Sequence, residues 1–455
     1  MMVVLNIIIG LFGLGIVVFF HELGHFLAAR AVGINVEAFS IGWGKPILKK
    51  KIGKVEYRLG MFPVGGYCKM QGETDYKEAW EKMRSGEEKE KSSYLGASPA
   101  ARILVSLGGP LFNLVFAVIL LSFLWGAGFE IHTFENRIVL ASDVDGQINP
   151  ADTAGLRTGD YIIDINGKKI SYYHEIQENI ALNPNKTLPV TIDRDGRIMN
   201  LQITPYLDKS SGMGKIGVYY YARPVIASVT EDSAAQKAGL LPGDLIISVN
   251  DVPLQNTIDL MKVMKDKTSE LFLAYERRES PIEVYRGMAQ IDMEALHDGE
   301  IGFSWETITY RTPDLSFPAA IVKGIQESYK TLYVSVASLK LLFMGIDLTQ
   351  AVSGPVRITY MMGDVATQGF GQSFGTGLRS IVNFIALISI ALCVMNMLPL
   401  PILDGGMIIL FLVEMIRRKP IPPKAVEIFQ ACGMAIIFGL MVLALFGDIL
   451  FFIRK

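Results

Sequence analysis

Residues 1–25 read MMVVLNIIIGLFGLGIVVFFHELGH. The first 20 carry no charged side chain and run without a break into His21-Glu22-Leu23-Gly24-His25. A helix needs about 20 predominantly apolar residues to cross a hydrocarbon core of roughly 30 Å. A cleaved secretory signal would open on a basic segment, which Met1–Asn6 lacks, and its apolar core would be shorter. The stretch therefore reads as a membrane span. Residues four apart on a helix differ by only about 40° around the axis, so His21 and His25 face one way. This is the H-E-x-x-H pattern, two imidazoles able to hold zinc and a Glu able to act on water. In an ordinary helix the pentapeptide amounts to two packed histidines and a solvated Glu. At the end of an apolar span, ionisable groups are costly and mark functional sites by default. The chain has only 5 histidines, and two of them are here.

Three further stretches lack charge: Ile103–Phe129, Ser380–Leu403 and Ile428–Gly447. Four spans explain why only 19% of the 455 residues are charged and half are apolar, where a soluble chain carries about a quarter charged residues. That composition excludes a disordered or fibrous protein. A net charge of −2 does not suggest a nucleic-acid partner. Cys68, Cys393 and Cys432 form neither a disulfide framework nor a C-x-x-C pair, and Cys68 reads as a packed thiol. Lys and Arg crowd after the first span (Arg30 to Arg58) and between the third and fourth (Arg417, Arg418, Lys419, Lys424). By the positive-inside rule both loops are cytoplasmic, so both termini and the segment Glu130–Arg379 lie outside, with Arg454 and Lys455 a mild conflict.

The third metal ligand must come from elsewhere, since catalytic zinc takes three protein ligands and a water. The third span ends Asn396-Met397-Leu398-Pro399-Leu400-Pro401-Ile402-Leu403-Asp404-Gly405-Gly406. Both the first and third spans run outside to inside. His21 follows a neutral run of 20 residues and Asp404 one of 24, so they meet at similar depth near the cytoplasmic face. Pro399 and Pro401 should loosen the helix there and free backbone groups. His21, His25 and Asp404 are thus the expected zinc ligands and Glu22 the general base. Asn396, eight residues before Asp404 on the same element, is placed to bond substrate or a developing oxyanion; a helix–helix hydrogen bond is the plainer alternative. In the second span, Gly108 and Gly109 permit close helix packing, and Asn113 contacts either substrate or a neighbouring helix.

The outer segment contains a repeat. Ala154-Gly155-Leu156-Arg157-Thr158-Gly159-Asp160 recurs 84 residues later as Ala238-Gly239-Leu240-Leu241-Pro242-Gly243-Asp244, each followed by a β-branched run and an Asn turn. A repeat of this size and pattern resembles a PDZ domain, a fold that binds extended peptides or carboxyl termini at a sheet edge. Two such domains serving only as a lid or spacer are an equal alternative. Pro313–Phe343 reads as an amphipathic helix on the outer membrane surface, or else a soluble linker helix. On the cytoplasmic side Lys54–Met61 alternates as a strand, Pro63-Val64-Gly65-Gly66 signals a turn, and Tyr67–Met70 returns, making a membrane-associated β-hairpin. Thr74–Ser93 reads as a solvated connection.

H-E-x-x-H in the first span, N-x-x-P-x-x-x-L-D-G in the third and the tandem repeat between the second and third together resemble the site-2 protease family of intramembrane zinc metalloproteases. The likeness is strongest to its bacterial RseP branch and covers essentially the whole chain. Gly108-Gly109-Pro110-Leu111-Phe112-Asn113 also resembles that family's small-residue motif. The resemblance implies a polytopic α-helical protein of the bacterial inner membrane with a zinc cofactor and two periplasmic PDZ domains. It implies single-span substrates already trimmed by a first protease, of the anti-sigma-factor type in an envelope stress response, and remnant signal peptides. It further implies that the outer domains act as a size filter, and that the β-hairpin, with Tyr67 and Lys69, pairs with an unwound substrate strand; Pro399 and Asn113 join Asn396 as substrate contacts. Peptide ligands of the PDZ domains and the lipid bilayer complete the partners. The implied parts are 1–31, 99–129, 379–405 and 428–455 for the four spans, 32–98 for the hairpin region, 130–221 and 222–306 for the PDZ domains, 307–378 for the amphipathic region and 406–427 for a basic loop. Two other classes compete: a membrane-tethered PDZ scaffold with a non-catalytic metal site, and a metal transporter. The transporter would need further acidic or His sites along a span and would have no use for Glu22.

Overall fold

Among the described residues four helices are long and apolar enough to cross a membrane: Val4–Ala31, Pro99–Ala127, Phe374–Asn396 and Pro423–Ile453. The structure, a computed structural model, describes residues 2–73, 81, 92–209, 212–264, 270–278, 280, 283–293, 301–342 and 354–454. Most of the expected Thr74–Ser93 connection lies outside the described residues. The chain divides into two units, one of Met1–Phe129 with Thr312–Lys455, the other of Glu130–Arg311.

In the helical unit the first helix (Met2–Ala31) packs antiparallel on the second (Pro99–Ala127) through glycines. A Cβ on Gly24 would lie 2.2 Å from the Gly108 carbonyl oxygen, so the backbones touch where any side chain would hold them apart. Ser98 caps the second helix by accepting the Ala101 N–H at 3.2 Å, and Pro99 starts it without wasting a donor. At its far end this helix meets Phe317–Leu342, which lies along it and does not cross its end: Ala320 comes beside Gly126, Gly324 beside Ser122, and Leu332 packs on Ala117 and Leu121. The expected surface-lying helix is thus a lengthwise neighbour of the second span. Its small residues explain the change, since Ala320, Gly324 and buried Ser328 give it a face that fits another helix closely.

A further helix, Pro355–Gln372, does not stand out in the sequence. It packs on the first span, with Gly10 against Thr359 and Gly363 against Asn6. Asp448, 3% exposed in the fourth span, caps it by accepting N–H groups of Gly354, Val356 and Arg357 at 2.8–3.2 Å. The third span ends at Asn396, and a separate helix, Asp404–Arg417, begins at Asp404. Asn396 and Asp404 are therefore not on one element, and most of the expected basic loop 406–427 is helix. Pro399 and Pro401 break the chain between the two helices. Gly405 and Gly406 let it fold back tightly, for a Cβ on Gly406 would lie 2.1 Å from the Leu400 carbonyl oxygen.

The β-region also differs from expectation. Strands Val36–Ile52 and Val55–Met70 form a hairpin whose tight turn is Gly53-Lys54, with Ile52 opposite Val55. Gly53 takes φ +62°, the left-handed conformation that a two-residue hairpin loop needs. Pro63–Gly66 is a bend inside the second strand instead. That bend, with another at Gly42 and Gly44 (φ +81° and +92°), folds each strand on itself. Residues 38–41 thus pair with 56–59 on one side, and 36–41 with 66–70 on the other. Phe26, Phe39, Met70, Tyr94, Leu95, Val105 and Phe411 join the sheet and helices in one apolar core.

The second unit repeats itself. Strands Tyr161–Ile165, Lys168–Lys169, Leu188–Arg194 and Arg197–Ile203 form a four-stranded sheet. Leu245–Val249, Val252–Pro253, Glu270–Arg278 and Val284–Asp292 form another in the same strand order. The repeated A-G-L-x-x-G-D has a structural reason. Buried Asp160 takes two hydrogen bonds from Arg194 at 2.7 Å, and Arg194 also donates to the Gly155 carbonyl at 2.7 Å. Asp244 takes the same pair from Arg277 at 2.7 Å, and Arg277 donates to the Gly239 carbonyl at 2.9 Å. Each two-pronged pair clasps the turn to the third strand of its sheet.

Candidate active site

The first span presents His21 and His25 on one face, their rings edge to face with centroids 4.8 Å apart. Their Nε2 atoms lie 3.2 Å from each other. Asp404, in the first turn of its short helix, brings Oδ2 to 3.3 Å from His21 Nε2 and Oδ1 to 3.5 Å from His25 Nε2. One donor atom from each residue falls within 4.8 Å of the others, a cluster able to coordinate a metal ion. The surroundings fit an ion. A Cβ on Gly109 would lie 2.4 Å from His25 Nε2 and 2.8 Å from His21 Nε2, so this glycine leaves a hollow beside the donor atoms. His25 Nδ1–H donates to the Val105 carbonyl at 2.8 Å, which in the neutral ring puts the lone pair on Nε2, facing the cluster.

Asp404 is held in place by its own helix. Ten residues on, Glu414 pairs with Arg102 of the second span at 2.7 Å, both side chains buried, and the guanidinium lies 4.6 Å from the Phe411 ring centroid. Just before Asp404, Ile402 adopts φ +80°, a strained conformation for a β-branched residue. Such strain, held by surrounding packing, is common where a loop must aim a functional side chain.

Glu22 faces the β-sheet. Its Cγ would meet a Cβ on Gly66 at 3.0 Å, and its carboxylate comes near the Cys68 backbone N–H. Among the described residues the strand segment 66–70 pairs with 36–41 and with no further strand; on its other side the Met70 N–H donates to the Glu73 carboxylate at 3.1 Å. A cavity of about 660 Å³ joins Glu22, His25 and Asp404 to Tyr67, Cys68, Glu73 and Tyr94. Burial pushes the Cys68 thiol up, as suits a packed and unreactive cysteine.

The other expected residues separate. Asn396 Nδ2 lies 3.2 Å from His21 Nε2, at the cluster itself. Tyr67 lines the cavity and accepts a hydrogen bond from Arg58 at 2.9 Å. Lys69 pairs with Glu37 at 2.8 Å and does not line the cavity. Pro399 lies in the break between two helices. Asn113, fully buried, reaches His21 from the second span. The sequence reading missed Arg102, Glu414 and Asp448; a lone charge near a neutral run was the available signal for each.

A family model described as peptidase family M50 matches residues 9–440. The chain belongs to peptidase family M50. A relative from Treponema pallidum, named for a zinc metalloprotease activity, is 38% identical over 98% of this chain and 99% of its own length. Similarly named relatives from Borreliella burgdorferi and Neisseria meningitidis serogroup A are 30% and 29% identical over 97% and 96% of this chain, and 98% and 97% of their own lengths. As an M50 peptidase with its His-His-Asp cluster assembled, the chain is of the zinc metalloendopeptidase class.

Proposed function

We propose that this M50 peptidase is an intramembrane protease of the site-2 type, nearest in kind to the RseP branch. It cuts within the transmembrane segments of single-span proteins already shortened by another protease, including anti-sigma-factor-type regulators and remnant signal peptides. The observation that carries the reading is the meeting of His21, His25 and Asp404 with Glu22 beside a strand segment that no further described strand covers. A transmembrane helix hides its amides in its own hydrogen bonds, so a peptide bond in it must be unwound before attack. An extended segment added along 66–70 would pass Glu22, whose side chain lies against Gly66 and near the Cys68 amide.

His21, His25 and Asp404 would hold zinc, two imidazoles and a carboxylate being a usual donor set of catalytic zinc with a position left open. When bound, zinc lowers the pKa of a water and polarises a carbonyl. Glu22 takes the proton from the attacking water on a carboxylate oxygen and delivers it to the leaving amine. The Asn396 carboxamide offers an N–H to the developing oxyanion. Tyr67 and Lys69 lie on the strand that aligns the substrate. The basic segments 30–58 and 417–424 lie in the cytoplasm, and Glu130–Arg311 lies outside as two PDZ domains that exclude bulky substrates. Cells carrying Glu22→Gln in place of the native chain should accumulate shortened single-span proteins that native cells clear. Identical fragment profiles in the two would overturn the reading.

A further inference from the structure

The two imidazoles of the site meet the second span differently. His25 Nδ1 is satisfied by a backbone carbonyl, that of Val105. His21 Nδ1 lies 3.3 Å from the Nδ2 end of the Asn113 carboxamide. Asn113 is fully buried, and its Oδ1 has no hydrogen-bond partner. Its own backbone carbonyl accepts the Ser389 hydroxyl at 2.8 Å, which fixes the residue against the third span.

His21 Nε2 points at the cluster, within 3.3 Å of Asp404 Oδ2 and 3.2 Å of His25 Nε2. For Nε2 to donate its lone pair, the ring proton must sit on Nδ1, and that N–H needs an acceptor. The two ends of a carboxamide have the same shape, so turning it about its last bond exchanges Nδ2 for Oδ1 at the same distance. That turn gives the oxygen a partner and moves Nδ2 to the place Oδ1 held, so what selects it is the need of the ring N–H for an acceptor.

We infer that Asn113 is a positioning residue of the metal site: its Oδ1 accepts the His21 Nδ1–H and so fixes the tautomer and tilt of that ligand. It acts through His21 and touches no substrate. Val105 does for His25 with a backbone carbonyl what Asn113 does for His21 with a side chain. The two residues are eight apart on the second span, about two turns, so one helix face serves both rings. This inference rests on the metalloprotease reading above.

The test is zinc affinity of the full chain in detergent, measured by competition with a chelator, alongside KM and kcat for a single-span reporter. Asn113→Leu removes the acceptor at nearly constant volume and should weaken zinc binding about 10- to 100-fold. Asn113→Asp keeps an acceptor and should stay within about 10-fold of native, which also covers the case in which the Leu variant does not fold. Native affinity in Asn113→Leu, with a raised KM, would make Asn113 a substrate contact and overturn the inference. An Asp variant as weak as the Leu variant would overturn it too. A native chain that binds no zinc would instead sink the metalloprotease reading itself.

Discussion

Gly109 sets how much room the paired histidines have. A methyl at this position would lie 2.4 Å from His25 Nε2, which no imidazole tolerates without moving. Gly109→Ala should therefore lower metal affinity about 100-fold or more, a loss at least as large as a disrupted outer partner causes. Metal content after dialysis against buffered zinc checks this, with Leu111→Ala, an exposed position on the same helix, as the control. Full metal occupancy in Gly109→Ala would mean that the ion binds elsewhere. At this scale the sequence was most readable where charge is scarce. His21, Glu22, His25 and Asp404 stand out because their surroundings are neutral. What stayed hidden were pairings across spans. Whether Asn113 meets substrate or a ring depends on which face of the second helix touches the first. That is decided by Gly24 and Gly108, and no local pattern reports it.

The short helix Asp404–Arg417 shows how an element aims a ligand. Its register is pinned at the far end by Arg102 and Glu414, buried together at 2.7 Å. Removing one partner of such a pair strands a charge and costs about 3–5 kcal/mol, whereas replacing both by apolar groups is often neutral. Arg102→Met alone should therefore lower the unfolding temperature and loosen metal binding, and Arg102→Met with Glu414→Met should recover most of both. A double variant as weak as the single one would show that the pair does not position Asp404. The four spans were legible as neutral runs, and the prolines after Asn396 flagged the break. The helix that begins at Asp404 was not legible, because its basic end looks like a loop. Pro355–Gln372 was also missed: Arg357 and Asp364 interrupt its apolar face, and its cap comes from Asp448, far along the chain. The hairpin turn was misplaced because Pro63–Gly66 is the louder turn signal, yet Gly53 has the φ that a tight loop requires.

At the scale of the molecule, Glu130–Arg311 is an insertion. Phe129 and Thr312 hydrogen-bond to each other, the Phe129 N–H donating to Thr312 Oγ1 at 2.9 Å and the Thr312 N–H to the Phe129 carbonyl at 2.8 Å. A short linker could therefore join them with little disturbance to the helical unit. If the inserted unit filters by size, a chain with 130–311 replaced by such a linker should keep cutting a trimmed reporter and should also cut an untrimmed one that the native chain spares. Equal neglect of the untrimmed reporter by both chains would rule out the filter. The repeat inside the unit was readable because the Asp–Arg clasp demands the same residues twice; what its sheet edges bind leaves no such mark. The central claim is that one assembled metal site hydrolyses a peptide bond inside a membrane span. It is tested most directly by incubating the purified chain with a single-span reporter and weighing the products by mass spectrometry. The expected result is one cut within the apolar segment, abolished by a zinc chelator, restored by added zinc and lost in Glu22→Gln. A cut outside that segment, or undiminished cutting by Glu22→Gln, would contradict it.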